Sequence, residues 1–208
     1  MRTCNIRYSQ VMDGGNGILP LRTKQEFFDE GKQEAYHLAK YYNVKEDKVL
    51  EFGCGNGRIL NYIKAKEVHG ADINKYYLKQ ITDTNITTHL YNGSSILKPL
   101  YFDFIYSQRV FQHIEYDLIT NILKNLYASL NFQGSMRIQF PQNPSPYFIK
   151  TNSNFSNNIR LFTIFDIEEL FEEAELPFKV EEGNLIGYGE GGKIKPKRNV
   201  EFFITVTK

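Results

Sequence analysis

The chain has 208 residues, and 25 Lys and Arg side chains against 24 Asp and Glu side chains leave a formal net charge of +1. This length suits a single domain with one buried core, and the charge balance excludes the global positive field typical of proteins that bind nucleic acid or anionic membranes. No apolar run approaches the roughly 20 residues that span a bilayer, and the polar N-terminus lacks the apolar segment of a signal peptide. We therefore expect a cytoplasmic protein without a membrane partner, in which Cys4 and Cys54 are free thiols.

The first predicted element is a helix. Thr23 and Glu26 have the spacing of a capping box, and apolar residues then recur at intervals of three and four, which predicts a helix from about Lys24 to Tyr42. We expect residues 1–42 to supply an N-terminal lid and this helix to a single domain of residues 1–208.

Short apolar runs follow, separated in most cases by segments of helical periodicity. The runs are KVLEF, EVHGAD, ITTHLY, FDFIYS and GSMRIQF, and the helical segments are RILNYIKAK, NKYYLKQIT and LITNILKNLYASL. This alternation is typical of an α/β fold, in which helices cover both faces of a parallel sheet. Toward the C-terminus, Asp166 and Glu169 are predicted to cap a helix, and FKVEEGNLIG and VEFFITVT are predicted to be two closing strands.

Residues 141–162 interrupt this alternation, since they are rich in Asn, Ser and Pro and carry little periodicity. They leave the carboxyl end of the fifth predicted strand, and loops in such places commonly carry function. We expect them to form an inserted loop on the substrate side.

The stretch KVLEFGCGNGRIL places Gly53, Gly55 and Gly57 directly after the first predicted strand. Loops at this end of a parallel sheet face the crevice in which ligands bind. A dinucleotide fingerprint needs its third glycine one place later, where this chain has Arg58. A carboxylate from Glu51 would also repel a pyrophosphate and attract a cationic ligand. The sequence therefore argues against NAD.

On these residues the chain resembles the class I S-adenosylmethionine-dependent methyltransferases, whose first motif is an acid, any residue and then GxGxG. The resemblance implies a Rossmann-like α/β fold with a seven-stranded, mostly parallel sheet, helices on both faces and an antiparallel last strand. It also implies S-adenosylmethionine as the cofactor and S-adenosylhomocysteine as the product. Asp72, at the end of VHGAD, matches the acid that this family places on the ribose hydroxyls, where a carboxylate accepts both hydrogen bonds.

Other positions take a cofactor role from the same resemblance. Gly93 and Ser94 fall where the family has Gly-Asp beside the adenine, and Ser107 ends the strand of the fourth motif. Arg58 is expected either to point to solvent or to contact the donor's carboxylate. The predicted cofactor-binding residues are Glu51, Gly53, Cys54, Gly55, Gly57, Arg58, Asp72, Ile73, Gly93, Ser94 and Ser107.

His113 is the predicted catalytic residue. A hydroxyl acceptor must lose a proton, and histidine needs the least pKa tuning to take it. Many members of the family that this chain resembles have a histidine at this place, where it either lies near the methyl group or packs against the cofactor loop. We expect Arg109, Tyr8 and Tyr147 to contact the substrate, while Cys54 is expected to be a small turn residue without a nucleophilic role.

The predicted function is metal-independent methyl transfer to a small molecule, with oxygen as the first choice of acceptor atom and nitrogen as the second. No acidic cluster has metal-ligand spacing, and Ser107, Gln108 and Arg109 replace the Asp/Asn-Pro-Pro-aromatic motif of nucleobase amine methyltransferases. Alternative acceptors are a sugar or glycan precursor, a tRNA or a protein. An alternative of another class is a non-catalytic S-adenosylmethionine-binding subunit. Nucleic acid is not the expected partner, and the sequence leaves the oligomeric state open.

Overall fold

The computed structural model describes residues 24–95, 97, 101–143, 155–156, 159–188 and 194–208. Two predicted substrate residues, Tyr8 and Tyr147, lie outside the described residues, as do Thr23 of the predicted capping box and much of the predicted insertion at 141–162.

One sheet of seven strands organises the chain. Its strands are β1 (Lys48–Phe52), β2 (Glu67–Asp72), β3 (Ile86–Leu90), β4 (Phe102–Ser107), β5 (Leu130–Pro141), β8 (Lys179–Tyr188) and β9 (Ile194–Thr207), while β6 (Phe155–Ser156) pairs with β7 (Ile159–Arg160) apart from this sheet. The order is β3-β2-β1-β4-β5-β9-β8. Strands β1 to β5 are parallel, and β9 is antiparallel to both of its neighbours. The predicted mostly parallel seven-stranded sheet with an antiparallel last strand is confirmed.

Helices cover both faces of this sheet, as predicted. They are α1 (Lys24–Leu38), α2 (Lys75–Leu78), α3 (Tyr116–Ala128) and α4 (Ile164–Glu173). Leu50 and Phe52 of β1 join the apolar core formed with α3 and α4, whereas Val49 joins the core formed with α1. Burial on both faces explains why the strand sequences are nearly continuous apolar runs. No helix among the described residues is long and apolar enough to cross a bilayer.

The first helix is shorter than predicted, because α1 ends at Leu38 and not at Tyr42. The rings of Tyr41 and Tyr42 lie against Phe104 of β4, with centroid distances of 6.2 and 5.5 Å. The apolar periodicity continues past the helix because the same face of the sheet buries these two rings.

The connections after β1 and β2 are also less helical than predicted. The segment RILNYIKAK forms only a 3₁₀ turn, Leu60–Tyr62, before β2 begins. Ile59, Leu60 and Ile63 are buried, so packing onto the sheet, and not helix formation, explains their periodicity. The segment NKYYLKQIT forms the single turn of α2, which is capped by the Asn74 side chain as it accepts a 2.9 Å hydrogen bond from the Tyr76 N–H.

The predicted cap of α4 is wrong by one turn. Thr163 is the capping residue, and its hydroxyl accepts a 3.2 Å hydrogen bond from the Asp166 N–H. The Asp166 carboxylate accepts in return from the Thr163 N–H at 2.7 Å, so Asp166 completes a capping box. Glu169 has a different use, since it accepts from the Tyr116 hydroxyl at 3.1 Å and so joins α4 to α3.

The loops after β1, β2 and β4 leave one edge of the sheet, because these strands are parallel and adjacent. Helix α1 contacts the loop after β1 at Gly31. A Cβ atom at Gly31 would overlap the carbonyl oxygen of Arg58. The helix and the loop therefore touch backbone to backbone, and only glycine fits at this position of α1.

Replacing Gly31 with Ala is expected to lower the free energy of unfolding by about 1–3 kcal/mol, the usual cost of overpacking. The direction of this change is informative, because replacing glycine with alanine in a helix interior normally raises the free energy of unfolding by about 1 kcal/mol. Urea unfolding measures the change, and Lys32→Ala on the exposed side of α1 is the control. A stabilised Gly31→Ala variant would contradict the close contact with Arg58.

Candidate functional site

The loop after β1 makes a tight turn at the carboxyl edge of the sheet. Gly53 and Gly55 have φ angles of 76° and 53°, in the left-handed region that favours glycine. A Cβ at Gly53 would overlap the side chain of Val110, whereas a Cβ at Gly55 would meet no described atom within 4 Å. The loop is thus packed against the β4 side at Gly53 and has open space in front of Gly55, where a ligand can approach the backbone.

Asp72 joins the end of β2 to this loop. Its Oδ2 accepts a 2.8 Å hydrogen bond from the Gly55 N–H, and its Oδ1 accepts a 2.7 Å hydrogen bond from the Asn74 N–H. Burial raises the pKa of Asp72 above its ordinary value, and the two N–H groups oppose that shift. Each carboxylate oxygen keeps a second acceptor position. Ile73, the next residue, is 41% exposed and presents an apolar side chain at the same edge.

Gly93 and Ser94 follow β3, whose end is bonded to Asp72 through the Tyr91 N–H and the Asp72 carbonyl at 3.0 Å. Gly93 is buried, with its carbonyl oxygen accepting from the Asn125 amide at 2.8 Å. Ser94 is exposed, and its hydroxyl donates to the Asn92 Oδ1 at 2.6 Å. The predicted pair therefore begins two residues after the backbone contact between Tyr91 and Asp72, with Ser94 toward solvent.

Two predicted cofactor residues point into the protein. The Ser107 hydroxyl is fully buried and donates to the Phe52 carbonyl at 2.9 Å. Cys54 is also buried, and burial, followed by the nearby carboxylates Glu51 and Asp72, raises the pKa of its thiol far above the ordinary range. Cys54 is thus a protonated small residue in the turn, as expected. Contacts from either position to a ligand would have to come from the backbone.

Glu51, the carboxylate that was expected to repel a pyrophosphate, lies inside the protein. Its side chain is buried, and its Oε2 accepts a 2.9 Å hydrogen bond from the Tyr106 hydroxyl. Burial raises the pKa of Glu51 to about 8, against the lowering effects of Tyr106 and Arg58. Burial therefore favours the neutral form of this carboxyl group, and its effect on a pyrophosphate stays a prediction.

Arg58 is buried and does not point to solvent, which corrects one of the two expectations for it. Its Nη2 donates to Glu34 Oε2 at 2.5 Å, and the guanidinium lies over the ring of Phe27 at 5.5 Å. Its Nη1 atom has no hydrogen-bond partner among the residues that the structure describes. The other expectation, contact with the donor's carboxylate, stays a prediction.

Sequence reasoning missed Glu30 and Glu34, which are buried on the inner side of α1. Arg109 Nη2 donates to Glu34 Oε1 at 2.8 Å and lies 3.6 Å from Glu30 Oε2. A signal was present, because Phe27, Glu30, Glu34 and Leu38 recur at intervals of three and four on one side of the helix. Acids inside such a stripe indicate a buried ion pair.

Arg109 itself adopts an uncommon backbone conformation, with a φ angle of 60°. Its N–H donates to Gln139 Oε1 at 2.6 Å, and the Gln139 amide donates to Glu201 Oε2 at 2.7 Å. The loop after β4 is thus fixed to Gln139 of β5, which is itself bonded to β9. The neighbouring Gln108 has a buried Oε1 atom without a hydrogen-bond partner among the described residues.

His113 ends a 3₁₀ turn, Phe111–His113, in the same loop and is half-buried. Its Nε2 lies 3.0 Å from the Gln112 Nε2, and because an amide nitrogen only donates, the His113 Nε2 accepts. Burial lowers the pKa of His113 below its ordinary value of 6.5. The imidazole is therefore neutral at pH 7.

The site as a whole consists of backbone and side chains from three loops at one sheet edge. The described residues include no group of three His, Cys, Asp or Glu side chains placed to hold a metal ion. The open space at Gly55 and the acceptor positions of Asp72 fit a ligand that carries two adjacent hydroxyl groups.

Comparison with known proteins adds a family and a set of similar folds. A family model described as a methyltransferase domain matches residues 22–179. A search of curated protein sequences gave no significant match.

Three solved structures illustrate the similarity of fold. TehB from Haemophilus influenzae is 21% identical with a TM-score of 0.58; the match covers 85% of this chain, which spans only 62% of that protein. A protein from Thermotoga maritima, described as an S-adenosylmethionine-dependent methyltransferase and "possible histamine N-methyltransferase", is 19% identical over 88% of this chain and 90% of its own, with a TM-score of 0.61. Magnesium protoporphyrin IX methyltransferase from Synechocystis, solved with bound S-adenosylmethionine, is 11% identical over 92% of this chain and 86% of its own, with a TM-score of 0.61.

Replacing Glu51 with Gln is expected to reduce the pH dependence of stability. Between the ordinary pKa of 4.5 and the folded value of about 8, the folded chain holds a proton that the unfolded chain has lost. The contribution of Glu51 to the free energy of unfolding is fully present below the unfolded-state pKa of 4.5 and is lost as the pH rises to the folded-state pKa of about 8. The loss is at most about 1.4 kcal/mol per pH unit. The glutamine amide of the variant would stay neutral throughout.

Urea unfolding across this pH range measures the difference. The free energy of unfolding of Glu51→Gln should fall less with rising pH than that of the wild type, while Glu46→Gln, at an exposed acid, should follow the wild type. Parallel curves for wild type and Glu51→Gln would show that Glu51 is ionised in the folded chain.

Proposed function

The chain belongs to the class I S-adenosylmethionine-dependent methyltransferases, and we propose that it transfers a methyl group to the hydroxyl oxygen of a small molecule. The observation that carries the cofactor part of this proposal is the arrangement of Asp72 and Gly55. The Gly55 N–H holds the Asp72 carboxylate in place at 2.8 Å, directly beside the open face of the glycine loop. This arrangement suits the ribose of the cofactor.

The other predicted cofactor residues have compatible positions. Exposed Ile73 offers an apolar surface for the adenine, and Gly93 and Ser94 follow β3, the strand that pairs with β2. The buried Nη1 of Arg58, which directly follows the glycine loop, has no hydrogen-bond partner among the described residues and is a donor suited to the carboxylate of the cofactor's methionine part. A charge-assisted hydrogen bond of that kind would supply the partner that a buried guanidinium nitrogen requires.

S-adenosylmethionine supplies a methyl group on a positively charged sulfur, which makes the methyl carbon ready for in-line displacement. The chain has to align the acceptor oxygen, exclude water and take the acceptor proton. The loop after β4 is suited to the first task, because Gln139 and Glu34 fix Arg109 from two sides. The buried Oε1 of Gln108 offers an acceptor for a polar group of the substrate.

His113 is suited to take the proton. Its pKa lies below 6.5 because of burial, so the imidazole is the neutral, proton-accepting form at neutral pH. The Gln112 amide covers its Nε2 lone pair at 3.0 Å. In the proposed reaction the acceptor hydroxyl takes the place of that amide and gives its proton to Nε2.

A small molecule is the favoured acceptor because the positive and negative charges nearly cancel and one seven-stranded sheet organises the described residues. A nitrogen acceptor is the second choice, and the Thermotoga maritima protein, whose fold is similar, is named as a possible histamine N-methyltransferase.

Replacing Asp72 with Asn is expected to weaken the binding of S-adenosylhomocysteine at least tenfold. The variant loses a charged acceptor for two hydroxyl donors, each worth about 1.5–3 kcal/mol, but keeps an oxygen for the Gly55 or Asn74 N–H. Calorimetric titration measures the affinity. Asp83→Asn is the control, because Asp83 is exposed and accepts the Asn85 N–H in a similar turn. Unchanged affinity in a folded Asp72→Asn variant would place the ribose elsewhere.

Replacing His113 with Gln is expected to lower turnover about a hundredfold or more, the usual contribution of positioned proton transfer, while cofactor affinity stays unchanged. Release of S-adenosylhomocysteine, with the ultrafiltrate of a cell extract as the acceptor source, measures turnover. The wild-type rate should fall as the pH drops through the lowered pKa of His113, and this acidic limb should vanish in the variant. The exposed His37→Gln variant is the control.

The same assay separates the alternatives. Release with the macromolecular fraction alone would favour a tRNA or protein acceptor, and no release with either fraction, despite cofactor binding, would favour a non-catalytic subunit. A His113→Gln variant with parallel losses of stability and cofactor affinity, but normal turnover when bound, would assign the residue to packing.

A further inference from the structure

Glu34 is a buried carboxylate that two separate loops share. It lies on α1 and is only 3% exposed. Its Oε2 accepts from Arg58, which directly follows the glycine loop, at 2.5 Å, and its Oε1 accepts from Arg109, in the loop after β4, at 2.8 Å. Glu34 is therefore a direct connection between the proposed cofactor loop and the loop that carries His113.

Each arginine is also fixed by a second contact that restricts its movement. The backbone of Arg58 lies against Gly31 of α1, where no Cβ atom fits. The backbone of Arg109 has a φ angle of 60°, and its N–H is held by Gln139 at 2.6 Å. A non-glycine residue in this conformation persists only when its surroundings impose it, so the loop after β4 depends on these partners.

We infer that Glu34 is a positioning residue that couples the glycine loop to the loop after β4, so that a change at Arg109 alters the binding of the cofactor. The inference relies on the proposed placement of the cofactor at the glycine loop. The physical basis is that one buried carboxylate serves two guanidinium groups. When Arg109 is weakened as a partner, Glu34 shifts toward Arg58, and the Arg58 side chain moves relative to the cofactor loop while its backbone stays against Gly31.

A purely structural role predicts a different result. If Glu34 only stabilises the fold, changes at Glu34 and Arg109 lower the free energy of unfolding but leave the affinity of the folded protein for the cofactor unchanged. Cofactor affinity, measured well below the unfolding transition, is therefore the decisive quantity. Coupling energies between residues in one ionic network justify the use of a double-mutant cycle.

The cycle uses S-adenosylhomocysteine as the probe and calorimetry as the measurement. Arg109→Lys keeps the positive charge beside Glu34 but removes the planar fork, and Glu34→Gln removes the shared carboxylate. We expect Arg109→Lys to weaken binding roughly threefold to tenfold in the wild-type background and to have no further effect in the Glu34→Gln background. Asp29→Asn is the matched control, because it removes an acid of α1 that accepts a hydrogen bond from the exposed Gln25 amide.

Removing one member of a buried ion pair can prevent folding, so Glu34→Asp, which keeps the charge and shortens the side chain, replaces Glu34→Gln if that variant does not fold. An equal effect of Arg109→Lys in both backgrounds, or no effect in the wild type, would overturn the coupling while leaving the proposed function intact. A wild-type protein that binds no S-adenosylhomocysteine would overturn the proposed cofactor site and the coupling with it.

Discussion

The contact between α1 and the loop after β1 constrains the rest of this structure. Burying a carboxylate is costly unless charged donors take the place of water, and Glu34 has two such donors, Arg58 and Arg109. Helix α1 therefore cannot leave the sheet without separating buried charges. Gly31 adds a steric condition to this electrostatic one, because its missing side chain allows the backbones to touch. The position of α1 thus fixes both loops that border the site.

The second constraint is the parallel arrangement of β1, β2 and β4. It places the carboxyl ends of these strands side by side. Residues that are far apart in sequence therefore meet at this edge, although no local sequence pattern relates them. Asp72 shows the result: its carboxylate is held by the Gly55 N–H from a different strand connection. A rigid carboxylate costs less to order when a ligand binds, because its rotamer is already fixed. The glycine loop supplies both the N–H group and the open space.

The parts of the site that could be predicted from the sequence are those with local signals. The glycine trio and the acid after β2 each follow an apolar strand, so the pattern gives their place directly. Glu34 and Arg109, by contrast, are 75 positions apart, and nothing in a single sequence pairs them.

The helix predicted after β1 is wrong for another reason. Ile59, Leu60 and Ile63 recur at helical intervals, but burial against the sheet takes precedence over helical propensity in so short a connection. The predicted cap at Asp166 was displaced by one turn because Thr163 offers the same chemistry three residues earlier.

Glu51 shows why residue type alone does not define the electrostatics of such a site. The acid of the first motif was expected to act as a charge, yet its carboxyl is buried beside Tyr106, with a pKa raised to about 8. Among the described residues, Glu30, Glu34 and Glu51 lie near two guanidinium groups, those of Arg58 and Arg109. The neutral form of Glu51 reduces the repulsion between it and Glu34. In the part of the chain that the structure describes, the ion-pair partner of Arg58 is Glu34. The raised pKa of Glu51 and the ion pairs of Glu34 therefore belong to one charge balance, in which the side chains of Glu34, Glu51 and Arg58 are all buried where α1, β1 and the glycine loop meet.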